Sequence, residues 1–196
     1  MPAMKKKDKA TSVCHSCGKT FEGKRQFCTP RCRKVLQCKA KGTTKFLTNV
    51  VAPLFQKAIR AEYGAEEEGF ALAVVGGELE MVFRRRGQCV CVTCGKVDAW
   101  DSGIKGIHTG HFLASRRASI LVEEANVAPQ CSGCNFFRSG APSEFRIWME
   151  RVRGLSEIER LQHLKTQSVS FSRDELVDMW FEYLERLNTA QERMKR

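Results

Sequence analysis

Ten cysteines dominate the chemistry open to this 196-residue chain, and eight of them form four spaced pairs. Cys14 and Cys17 are followed by Cys28 and Cys32; Cys91 and Cys94 are followed, much later, by Cys131 and Cys134. A short spacer lets both thiolates of a turn point at one ion, and two such turns complete a tetrahedron. Gly18 and Gly95 directly follow a pair and Gly133 lies within one, where such turns need a residue tolerant of positive φ. The spacing predicts two structural Zn²⁺ sites, one on each set of four, rather than scattered core cysteines. Four thiolates leave no open position on the ion, so zinc here is a staple and not a catalyst. Cys38 and Cys89 are left over. Cys89 could compete with Cys91, although the Cys-x-x-Cys spacing favours Cys91; His15, between two ligands, reads as exposed rather than ligating.

Between Cys94 and Cys131 lie Gly110-His111-Phe112 and Asn126, with Asn135 directly after Cys134, at spacings of 15 and 9. Phosphodiester hydrolysis needs a base to deprotonate water and a divalent ion to neutralise charge growing on the phosphate. Neutral imidazole titrates near the working pH, which suits His111 to the first task. The amide oxygen of Asn135 is a hard ligand for catalytic Mg²⁺ or Mn²⁺, leaving the other positions to water and phosphate. Asn126 would hold the imidazole or its loop by hydrogen bonds, while Arg116, Arg117 and Arg138 could grip phosphate oxygens. Taken singly, each has a structural explanation: a His packed beside Phe, an Asn capping a short helix. The joint order and spacing carry the catalytic reading.

On these residues the stretch Cys91 to Arg138 resembles a zinc-containing HNH (ββα-metal) domain. Within that superfamily it is similar to the lambdoid phage recombination nuclease family NinG, also called Rap. The similar stretches are Trp100-Asp101, Gly110-His111-Phe112, Glu124-Ala125-Asn126, Gln130 to Asn135 and Arg138-Ser139-Gly140, with Phe27 to Cys32 in an N-terminal knuckle. The resemblance implies a β-hairpin carrying the base on its first strand, then a helix carrying the third motif residue. It also implies metal-dependent cleavage of branched DNA such as D-loops and Holliday junctions, with His111 as base, Asn126 as support and Asn135 as metal ligand. Many HNH proteins place Asp before the base, where this chain has Gly110; the related Asp-Arg-Gly-His nucleases also have Gly there. Three residues before the base, His108 replaces their Asp, and reads as an extra ligand, a phosphate contact or a residue without a role.

Charge agrees with a polyanion partner. Of the formal +11, residues 1–45 hold 13 bases and 2 acids, and residues 84–153 hold 11 bases and 6 acids. Residues 46–83 between them carry 2 bases and 6 acids. Two basic stretches separated by an acidic one suggest DNA touched at two places. No apolar run is long enough to cross a bilayer and no signal peptide is evident, so a reducing cytoplasm is expected.

The elements that must position these residues predict an α+β fold. Residues 1–10 read as a disordered basic arm, 11–35 as the N-terminal four-cysteine zinc module with Phe21 and Phe27 as its apolar interior, and 36–87 as basic linker, helix and connecting elements. Residues 88–154 would form the HNH-like core and 155–196 the C-terminal helices. Apolar positions from Phe46 to Ile59 recur at helical spacing, with Pro53 a kink or second start and Gly64 a stop. Residues 70–83 fit two strands, or a helix and a strand, around Gly76-Gly77. A helix near 143–153 ends at Gly154, and Ser156 to Glu159 and Ser172 to Glu175 both read as capping boxes. The last helix buries Leu176, Trp180, Leu184 and Leu187, with Met179 and Tyr183 beside them, as ordinary core. Besides a branch-selective endonuclease, for which symmetrical cutting of a four-way junction would favour a homodimer, the sequence accommodates a non-catalytic zinc-stabilised DNA-binding recombination accessory and a less selective HNH nicking enzyme.

Overall fold

The periodic apolar residues after Thr43 form a helix, but not a uniform one. In the computed structural model, which describes residues 11–14, 20–23, 28–29, 32–33, 42–114 and 116–195, an α-helical turn Thr43–Phe46 (α1) widens into a π-helical turn Leu47–Val51 and continues as Ala52–Ala65 (α2). Pro53 falls at the second position of α2, where its missing N–H deprives the ladder of little. The π turn directly before it absorbs the interruption, so Pro53 both disturbs the first turn and opens the second. Gly64 does not stop the helix, which runs one residue further. A Cβ on Gly64 would lie 2.8 Å from Cβ of Trp100, so glycine is there to let the indole approach.

Among the described residues eight short strands pair antiparallel into four separate ribbons: β1 (Thr11–Val13) with β2 (Thr20–Glu22), β3 (Gly69–Val75) with β4 (Glu78–Arg84), β5 (Gln88–Val90) with β6 (Val97–Ala99), and β7 (Ile107–His111) with β8 (Val127–Cys131). Residues 70–83 are therefore two strands, turned at Gly76 and Gly77 with φ of 62° and 92°, the left-handed pair that a tight hairpin requires. The helices that follow are α3 (Ala118–Leu121), α4 (Pro142–Val152), α5 (Leu155–Thr166) and α6 (Arg173–Lys195). The class is α+β.

Two capping boxes were expected and one forms. Ser172 accepts from the N–H of Glu175 at 3.2 Å, while the Glu175 carboxylate accepts from the N–H of Ser172 at 2.7 Å. The Ser156 box does not form, because α5 already starts at Leu155 behind Gly154, whose φ of 88° turns the chain out of α4. Along α6 the buried stripe is Leu176, Trp180, Tyr183, Leu187 and Ala190; Tyr183 takes the place expected of Leu184 and meets Phe55 of α2 edge-on at 5.1 Å. This is core packing. Arg186 then clamps the layers, its guanidinium donating to Glu62 at 2.7 and 2.8 Å and to Glu124.

The main core joins the helices α1, α2 and α6 to Ile107, Val127 and the inner cysteines. A second cluster packs Phe145, Trp148, Met149, Ile158 and Leu161 against Val74, Val92, Ile120 and Ala128. The hairpin β7–β8 lies between them, with all five residues of β8 buried. No helix among the described residues is long and apolar enough to cross a membrane. The expected arm at 1–10, His15, Cys17, Phe27, Cys38 and most of the basic linker lie outside the described residues.

Candidate functional site

The sulfurs of Cys91, Cys94, Cys131 and Cys134 lie within 4.8 Å of one another, with Cys94 and Cys131 at 3.7 Å. Thiolates around a tetrahedral Zn²⁺ at about 2.3 Å stand roughly 3.8 Å apart, so this cluster could hold zinc with little adjustment. The turn that aims the first pair closes through Gly95, whose N–H donates to the Cys91 carbonyl at 2.9 Å with φ of 75°. Burial pushes the Cys91 and Cys94 thiols up, so a cation in the cluster is what would make them thiolates. Cys89 stands apart. Its buried thiol donates to the Arg60 carbonyl at 3.3 Å, and the sulfur that lies with those of Cys94, Cys131 and Cys134 is that of Cys91. In the N-terminal module Cys14, Cys28 and Cys32 form a second cluster that could hold zinc, with Cys28 and Cys32 sulfurs 3.5 Å apart.

His111 ends β7, half-buried. Its Nε2 sits 3.0 Å from the carbonyl of Leu121, at the end of α3. A carbonyl only accepts, so Nε2 carries the hydrogen and Nδ1 keeps its lone pair. Burial lowers the His111 pKa, outweighing the opposite effect of the Leu121 bond, and keeps the ring neutral.

The loop that delivers the Leu121 carbonyl is pinned by Asn126, which is 0% exposed. Its Oδ1 accepts from the N–H of Leu113 at 2.8 Å, and its Nδ2 donates to the carbonyls of Leu113 and Ile120, each at 3.2 Å. Asn126 thus acts on the loop and not on the imidazole directly. Arg117 holds the same loop to the end of α5, donating to the carbonyls of Lys165 and Thr166 at 3.3 and 3.4 Å.

Asn135 lies half-buried on a π-helical turn, Gly133–Phe137, that follows β8 directly. Its amide has no hydrogen-bond partner among the described residues. The turn meets β7 through His108, whose ring lies edge-on to Phe136 at 4.7 Å while its Nε2 contacts the Ile104 carbonyl at 2.8 Å. Three residues apart on one strand, His108 and His111 leave by opposite faces. The structure therefore groups His111 with Leu121 and Asn126, and His108 with the turn of Asn135. Among the described residues no hydrogen bond or ring contact joins the two groups. Arg138 is engaged in an ion pair with Glu144 and donates to the Cys134 sulfur at 3.8 Å, which spends it on the cysteine turn. Arg116 is exposed.

Two contributors carried no sequence signal strong enough to single them out. The Leu121 carbonyl is main chain, and no residue type announces it. Gln130, 0% exposed, donates through Nε2 to Thr93 Oγ1 at 3.1 Å and to the Gly140 carbonyl at 2.7 Å. Thr93 Oγ1 in turn lies 3.3 Å from the Cys91 sulfur. Ser139, Gly140 and Ala141 all have positive φ, of 50°, 86° and 47°, two of them without glycine's freedom. The Gln130 bond helps hold that bend. A Cβ on Gly110 would stand 1.9 Å from Gln130 Oε1, so the residue before His111 is glycine because the Gln130 amide fills its place.

Compared with protein-family models, curated proteins and solved structures, the chain matches none.

Proposed function

We propose that this chain is a divalent-metal-dependent endonuclease of the HNH type, hydrolysing phosphodiester bonds in branched DNA such as D-loops and Holliday junctions. The observation that carries the reading is the tautomer imposed on His111, with Nε2–H given to the Leu121 carbonyl and Nδ1 left as acceptor. A water at Nδ1 gives up its proton to a ring that burial keeps neutral, and its oxygen attacks phosphorus as the bridging P–O bond breaks. Asn126 is the positioning residue for that imidazole. The uncommitted amide of Asn135 fits a hard Mg²⁺ or Mn²⁺ ion that keeps most of its waters; Gly110 offers no ligand, and Gln130 occupies the space a carboxylate would need. When bound there, the ion neutralises charge on the phosphate. His108 shares its strand face with the Asn135 turn, which favours it as a second ligand over a phosphate contact. The two cysteine clusters would hold structural zinc, with Cys17 completing the first. Branch selectivity rests on the resemblance to NinG.

A second reading, the zinc-stabilised DNA-binding accessory without chemistry, is favoured by the 13 bases in residues 1–45. Labelled four-way junction and matched duplex, incubated with Mg²⁺ or Mn²⁺, decide between them. Junction cleavage that disappears in His111→Ala while binding persists supports the branch-selective nuclease. Equal cutting of both substrates favours the less selective nicking enzyme. Tight binding without cutting under either ion moves the assignment to the accessory.

A further inference from the structure

The β3–β4 ribbon turns an apolar face to solvent. Phe70, Leu72, Met81 and Phe83 are 68, 41, 72 and 50% exposed. Register places Phe70 opposite Phe83 and Leu72 opposite Met81, so all four share one face, and the two rings meet edge-on at 5.6 Å. Toward the tip the same face turns inward, Val74 being 1% exposed with Leu79 packed beside it in the second hydrophobic cluster, so the open patch is the half nearer the base. On the other face Ala73 is fully buried and Arg84 is paired to Glu66.

We infer that two copies of this chain associate face to face through the exposed apolar patch of the β3–β4 ribbon. The area argues for a second copy. Taking about 200 Å² for a side chain of this size, the four expose on the order of 450 Å² of apolar surface. A stable homodimer draws about 800 Å² from each partner, about 65% of it apolar, so this patch supplies most of the apolar part from each side. A patch free of charged side chains is complementary to itself under a two-fold axis.

Charge excludes nucleic acid. Glu78 and Glu80 alternate with Leu79 and Met81, so they leave β4 by the face away from the patch and put no charge within it. Residues 46–83 hold 6 acids and 2 bases, which repels a polyanion.

Sedimentation velocity on the zinc-loaded full chain, from nanomolar to high micromolar, is the test. The expected result is a species of twice 22.2 kDa that Met81→Lys with Phe83→Lys weakens by at least about a hundredfold in Kd. Both side chains are exposed, and circular dichroism with zinc content verifies the variant's fold. Ile104→Lys, at an apolar residue 86% exposed elsewhere, should leave association unchanged. Should the double variant misfold, Phe70→Ser reads the same face from the other strand and should weaken the dimer by at least about tenfold. A wild type that stays monomeric throughout, or a dimer indifferent to the Lys pair, overturns the inference. No DNA, Mg²⁺ or Mn²⁺ is present, so the outcome is independent of the nuclease assignment.

Discussion

The two cysteine clusters use one coordination chemistry in two kinds of surroundings. Cys91, Cys94, Cys131 and Cys134 sit in the main core, tied through Thr93 and Gln130 to the bend at Gly140 and through β8 to the strand of His111. Cys14 and Cys32 are buried in that same core, with Cys28 and Phe21 packed against it, but the strands beside them, β1 and β2, are three residues each. An ion in the first cluster would brace longer elements that already pair with one another. In the second it would hold a short ribbon, with little pairing of its own, to the core. Identical ligands therefore predict different consequences when removed.

The largest effect should come from breaking the inner cluster. Cys131→Ser with Cys134→Ser is expected to abolish the cooperative thermal transition, whereas Cys28→Ser should leave that transition in place and weaken DNA binding alone. A soluble, zinc-bound, cooperatively melting inner double variant would erase the distinction. A smaller effect tests the brace. Gly110→Ala drives a methyl into Gln130 and should cost about 1–3 kcal/mol, read by chemical denaturation. The same change should lower cleavage further than stability accounts for, since His111 is the next residue; an unchanged rate would argue against that linkage.

The smallest effect is electrostatic. Unfolded His111 takes up a proton near its ordinary 6.5, but the folded ring resists until lower pH because burial lowers its pKa. Protons therefore favour the unfolded chain below about 6.5, and stability is lost as pH falls through that region. Compared with His111→Gln, the wild type should show the steeper fall in Tm on acidification. The acid limb of its cleavage profile should have its midpoint below 6.5. Parallel Tm curves for the two proteins would refute the lowered pKa.

Much of this arrangement was legible before any coordinates. Paired cysteines are written in spacing, and the helices around Phe55 and Trp180 in apolar period, because ion geometry and the helical repeat leave direct marks on the chain. The two-strand reading of residues 70–83 stayed open because short apolar runs fit either period; only Gly76-Gly77, with both φ positive, decides it. The Ser156 box misled because α5 begins a turn-fraction earlier than the motif implies. Gly64 and Gly110 are tertiary glycines, set by Trp100 and by Gln130, neighbours a local reading does not see. The catalytic pattern, likewise, announced the side chains but not the Leu121 carbonyl that selects the tautomer.

That last contact has a genetic consequence. The group holding His111 is a main-chain oxygen, so no codon change at position 121 deletes it, and any apolar residue that keeps α3 seated preserves it. Vulnerability passes instead to Asn126, whose amide alone makes three bonds to the loop. Among single-nucleotide variants, position 121 should drift while position 126 stays invariant, an inheritance pattern that points away from the atom doing the holding.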